Sequence, residues 1–97
     1  MKARAKDPLL ALPNVGPAVR EDLRRLGIDS LEALAGQEAD ELYLRLARMD
    51  GRFHDPCVWD TFEAIIRIAR GGPAVKWHEM TPVRKARQAK GDFPSSF

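Results

Sequence analysis

No apolar run in the chain approaches the roughly twenty residues needed to cross a bilayer. Its basic opening, "MKARAKDPLL", also lacks the apolar stretch and small-residue cleavage site of a secretory signal. No membrane partner is expected, and a cytoplasmic protein is the default. Cysteine is nearly missing: Cys57 stands alone, which excludes an intrachain disulfide and a cysteine-based zinc cluster. Within "PCVWD" it reads as a small packing residue rather than a reactive thiol, with no convincing cationic activator nearby. Histidine is scarce as well. His54 lies close to Asp55 and Cys57, but His78 is the only other histidine and Asp55 already suits a helix cap. No metal and no cofactor is expected. The sequence has no Ser/His/Asp arrangement, phosphate-binding glycine loop or nucleotide fingerprint. The acidic pairs Glu21-Asp22 and Asp40-Glu41 fall on polar helix faces or in first turns, where solvated charge is the norm. The chain is not expected to be an enzyme.

What the sequence does contain is one small domain's worth of apolar and charged residues, 44% and 31% of 97. The formal charge of +2 conceals a segregation. Lys2, Arg4 and Lys6 crowd the first six residues, and Lys76, Arg84, Lys85, Arg87 and Lys90 face only Glu79 and Asp92 beyond residue 70. Residues 7–70 therefore hold eight basic and twelve acidic side chains. A basic isoelectric point arising in the ends is a weak argument for a basic patch on the folded surface.

The periodicity predicts short helices joined by punctuated turns. Asp7-Pro8 can open a first short helix through Leu9, Leu10 and Leu12, which "PNVGP" stops. Pro17 restarts a helix with Val19, Leu23 and Leu26 on one face, Glu21 and Arg25 at the spacing of an ion pair, and Gly27 at its end. Asp29-Ser30 offers a cap for "LEALAG". A fourth helix spans about Gln37 to Met49: "LYLRLA" alternates like a strand, but Glu38, Asp40 and Glu41 at the start and Arg45 and Arg48 near the end suit a helix dipole. Leu42, Leu46 and Met49 keep the helical spacing. Asp55-Pro56 starts a fifth, whose broad apolar face (Val58, Trp59, Phe62, Ile65, Ile66, Ala69) marks the centre of the core. Gly71-Gly72-Pro73 ends it. Trp77 reads as packing back over this helix, with an exposed stacking or interface residue beside Lys76 as the alternative. "PVRKARQAK" is a weak helical candidate and "GDFPSSF" a frayed end. No strand is needed, and the fold class is all-α.

The bracketed turn carries the functional signal. A tight turn ending in Gly16 and running straight into a helix leaves amides without intrahelical acceptors, where the helix dipole favours an anion. Pro17 donates nothing, so the candidate phosphate donors are the amides of Val15, Gly16, Ala18 and Val19, in a turn shaped by Asn14. Arg20 and Arg24 could reach neighbouring phosphates. Such contacts position a protein on DNA without reading bases.

The run "LPNVGPAVREDLRRLGI" resembles the helix-hairpin-helix motif, which implies sequence-independent DNA binding through hairpin amides. Together with "LYLRL" and "DPCVWDTFEAI" it resembles more narrowly the small bacterial pathogenicity-locus family, related to the C-terminal domain of the TfoX competence regulator, some of whose members carry a mitomycin-resistance label. The resemblance covers about residues 7–80 and implies a five-helix fold of the SAM-like or paired helix-hairpin-helix type. Two positions depart from the DNA-binding pattern. Asn14 replaces the first glycine; it tolerates left-handed geometry, and its side chain would either obstruct a phosphate or cap the turn. Arg20 replaces a small residue, and would either point outward or force the helices apart. A second hairpin, around "MDGRFHDP", lacks the Gly-apolar-Gly element altogether.

These readings divide the chain into a basic N-terminal arm (1–6), a helix-hairpin-helix domain (7–80) and a basic C-terminal tail (81–97). The expected function is weak, sequence-independent DNA binding through Asn14–Ala18, and the alternative is a SAM-like protein-interaction module that binds no nucleic acid.

Overall fold

The computed structural model describes residues 7–95; the basic arm at 1–6 lies outside the described residues. Among these are α1 (Pro17–Arg25), α2 (Leu31–Ala35), α3 (Ala39–Asp50), α4 (Cys57–Ala69), a 3-10 turn at Trp77–Met80 and α5 (Thr81–Lys90), with no strand. The all-α fold class stands, but the five helices are not the same five that the sequence suggests.

The helix expected at 8–12 is a run of turns. The Asp7 carboxylate accepts the Leu9 amide at 3.0 Å, and the Leu12 amide donates to the Leu9 carbonyl at 3.1 Å. The short run before Pro13 explains this. Helix nucleation fixes several residues for one hydrogen bond, and Pro13 cannot donate to propagate it. Leu9 is nevertheless fully buried, so the segment anchors the domain without being helical.

Elsewhere the local signals act as expected. Pro17 occupies the first helical positions of α1. Beyond its end the Gly27 amide bonds to Arg24 and the Ile28 amide to Leu23, with Gly27 at φ 81°, the paired geometry that satisfies orphan carbonyls. The Ser30 hydroxyl caps α2 by accepting the Ala33 amide at 3.0 Å. In α3 the strand-like stretch is helical: Leu42, Tyr43, Leu46 and Ala47 are buried, while Met49 is exposed rather than part of the apolar face. The Asp55 carboxylate accepts the Cys57 amide at 2.8 Å and opens α4.

Central helix α4 packs against α2, α3, α5 and the 3-10 turn. Trp59, Phe62, Ile65 and Ile66 are buried on it, each worth about 1.5–3 kcal/mol as transferred apolar surface. Gly72 follows at a place where the backbone doubles back closely: a Cβ would lie 2.8 Å from the Arg67 carbonyl oxygen, so a side chain could fit only if the turn opened.

The segment read as a basic tail carries α5, and two of its arginines face inward. Asp60 is fully buried on α4 and accepts both Arg84 Nε (2.9 Å) and Nη2 (3.0 Å), with the Thr81 hydroxyl at 2.8 Å. Asp40 on α3 takes Arg87 in the same forked manner, at 2.7 and 2.8 Å, and also accepts the Trp59 indole N–H at 2.8 Å. Phe93, expected to be frayed, packs on Tyr43 and Trp59 with centroids 5.6 Å from each. Bidentate arginine–carboxylate pairs supply geometric specificity as well as energy. They make up for the small apolar face of this helix.

Candidate nucleic-acid interface

The turn between Leu12 and Pro17 begins at Asn14, whose φ of 72° makes it the one non-glycine residue in the left-handed region among the described residues. The replacement of glycine therefore keeps the backbone path, and the side chain caps the turn over a long distance. Its Nδ2 donates to the Val75 carbonyl at 2.8 Å, and its Oδ1 accepts the Trp77 amide at 2.9 Å. Val15 turns its side chain into the core, and its amide is already given to the Leu12 carbonyl at 3.3 Å. The expected set of four donors is thus reduced to three. The amides of Gly16, Ala18 and Val19 have no acceptor among the described residues. Gly16 sits at φ −97°, ψ −174°, extended backbone that any residue adopts, and a Cβ there would meet nothing within 4 Å. Neither backbone nor packing demands glycine at this position. Its small size leaves the approach to the amides open.

The two arginines differ. Arg20, 18% exposed, does not simply point outward. Its Nε bonds to Asp7 at 2.7 Å, Nη1 to the Ile28 carbonyl at 3.3 Å and Nη2 to Asp29 at 3.2 Å, tying the first turn to the end of α1. The Arg20 hydrogen bond holds the Asp7 carboxyl below its ordinary value, and Asp7 in turn strengthens the protonated guanidinium. Arg20 is therefore a structural tie, with three of its five N–H donors engaged within the domain. Arg24, 62% exposed, leans on Glu21 at 2.9 Å across one turn. The expected Glu21–Arg25 pair is absent because Arg25 turns to Asp50 at the end of α3 and to Asp22 at 3.6 Å. An exposed pair of the Arg24–Glu21 kind is worth little, so Arg24 can exchange partners at low cost.

Asn14 brings a second basic and aromatic element to the turn. By holding Val75 and Trp77 it brings the backbone of Lys76 beside the turn, although more than sixty residues separate Lys76 from Asn14 in sequence. Nothing in the spacing could have shown that. Trp77, 39% exposed, forms one wall of an apolar groove of about 230 Å³ with Val19, Val58 and Phe62; Asp22, Cys57 and Thr61 complete it. Burial pushes the Asp22 carboxyl up, against the pull of Arg25. The hydrogen bond with Asp55, reinforced by burial, raises the Cys57 thiol above its ordinary 9.0 and keeps it protonated at neutral pH.

The segment after α3 is a structural turn. His54 Nε2 meets Asp50, and the Tyr43 hydroxyl donates to the His54 carbonyl. Among the described residues no group of three or more His, Cys, Asp or Glu is placed to share a metal ion, and no helix is long and apolar enough to cross a membrane.

A model of the Pathogenicity locus (Cdd1) family matches residues 2–86, which include the Asn14 turn, the groove and the first part of α5. This chain belongs to the Pathogenicity locus family. The pathogenicity-locus chain is also similar to "Mitomycin resistance protein McrB" from Streptomyces lavendulae, at 38% identity over 77 residues, 79% of this chain and 73% of that protein. No solved structure matches it.

Proposed function

We propose that this pathogenicity-locus protein is a cytoplasmic, non-enzymatic module that binds DNA weakly and without sequence preference, using no cofactor. The observation that carries this reading is the open trio of amides at Gly16, Ala18 and Val19 at the start of α1. They would cradle one phosphate, while Arg24 and Lys76 neutralise its neighbours. Arg20 holds the hairpin in shape and makes no phosphate contact. With about two phosphates neutralised, raising salt from about 50 to about 200 mM should weaken binding roughly tenfold.

Gly16→Asp is the decisive variant. Its Cβ enters open space on permissive backbone, so the fold should survive, while a carboxylate meets the phosphate. Duplex binding should drop by roughly tenfold or more at low salt, as expected when a positioning contact becomes like-charge repulsion. Equal affinity for both proteins would remove the hairpin from the interface.

The second reading, a protein-interaction module, is favoured by one observation. A cleft of about 530 Å³ between α3, α4 and α5 is lined by Glu38, Asp40, Glu41 and Glu63 around Trp59 and Val83, with Arg87 the one cation among its walls. A partner presenting lysine or arginine suits it. Capture of such a partner with no DNA shift even at low salt would establish this reading in place of the first.

A further inference from the structure

Trp77 is the most exposed aromatic side chain among the described residues, yet its backbone is pinned by Asn14 and its ring walls a groove. Resting on the phosphate reading above, we infer that this groove receives one unstacked nucleobase, so that the preferred ligand is single-stranded rather than duplex nucleic acid. Val19 joins the two halves of the site. Its amide is one of the unengaged hairpin donors and its side chain lines the groove, which puts a phosphate and the base beside it one residue apart.

The polarity of the groove sets the orientation. Asp22 repels a phosphate, which therefore stays on the amides, while its carboxylate can accept a ring N–H or an exocyclic amino group. The Thr61 hydroxyl donates to the Cys57 carbonyl at 3.2 Å and keeps its lone pairs for a second donor. At about 230 Å³ the space lies below the roughly 300–1,000 Å³ of drug-sized pockets, the scale of a single heterocycle. Val58, Phe62 and the Trp77 ring supply apolar walls on which any base can stack. A base inside a duplex is already stacked and paired and cannot offer its face without being extruded. The groove therefore discriminates by strandedness, and the hairpin does not.

The test compares an unstructured oligonucleotide with its blunt duplex at low salt, for wild type, Gly16→Asp and Trp77→Ala. The strand should bind wild type more tightly than the duplex and quench tryptophan emission, because Trp59 is buried and Trp77 carries the accessible signal. Trp77→Ala should weaken strand binding about tenfold and leave the duplex within about twofold, while Gly16→Asp weakens both. The wild-type quenching measurement needs no variant, so it stands even if Trp77→Ala folds poorly. A strand that binds no tighter than its duplex, or binds without quenching, overturns the groove assignment. If Gly16→Asp still weakens the duplex in that case, the hairpin reading survives alone. No binding of either nucleic acid overturns both, whereas Trp77 becoming buried only when the protein self-associates overturns the groove assignment alone.

Discussion

Asn14 combines a backbone role with a side-chain one. Left-handed geometry suits it better than most residues with a Cβ, and its amide closes two hydrogen bonds to residues 61 and 63 positions away. Substitutions separate these roles. Asn14→Gly keeps the turn and loses the clamp, so it should cost about 1–2 kcal/mol, the net worth of two ordinary hydrogen bonds, and shift Trp77 emission to the red. Asn14→Ala adds left-handed strain of about 1–2 kcal/mol and should melt lower still. A glycine variant with wild-type melting and emission would show that the clamp does not set the position of Trp77. Only part of this was legible beforehand. Tolerance of positive φ belongs to the residue itself, whereas the clamp depends on where the chain returns after Gly72.

Among the elements, α5 shows most clearly why polar docking escapes sequence reading. Its side chains at 84, 85, 87 and 90 look like a solvated basic run, and Val83 is a meagre apolar signal. The clue lay on the partner helix instead. Asp60 interrupts the apolar arc of α4 next to Trp59, and a carboxylate buried there requires a cation. The helices with broad apolar faces or plain caps, α1, α3 and α4, were readable because burial and termination are local patterns. The Arg84–Asp60 pair predicts an uneven response along α5. Arg84→Ala leaves a buried unpaired charge and should cost about 3–5 kcal/mol, while exposed Lys85→Ala should stay within about 0.5 kcal/mol. Denaturant titration of the two variants distinguishes them, and similar midpoints would mean that Asp60 finds another partner.

For the molecule as a whole, internal pairing gives stability a direction with pH. Asp40, Asp50 and Asp7 are each held below the ordinary 3.8, chiefly by hydrogen bonds from Arg87, Arg25 and Arg20 respectively. Their ionised forms therefore favour the fold. The stabilisation is complete above that value and disappears as pH falls through the lower folded values. Asp22, raised by burial, works in the opposite sense, and its penalty is relieved as it protonates. Stability should consequently hold on mild acidification and fall below about pH 4. Asp40→Asn should be less stable than wild type at neutral pH and lose less on acidification, as read by denaturant midpoints across that range. An unchanged acid profile would place the sensitivity on other carboxylates.

The clamp between Asn14 and Trp77 also has a consequence during synthesis. The hairpin leaves the ribosome early, but the amide that shapes its surroundings has no partner until Val75, Lys76 and Trp77 have followed. At ordinary elongation rates of about 5–20 residues per second, several seconds pass with the turn made and the groove lacking its aromatic wall. A nascent chain stopped before residue 75 would carry the hairpin sequence without Trp77 or its anchoring strap. The surface inferred to distinguish single strands from duplexes is therefore among the last parts of this small domain to be completed.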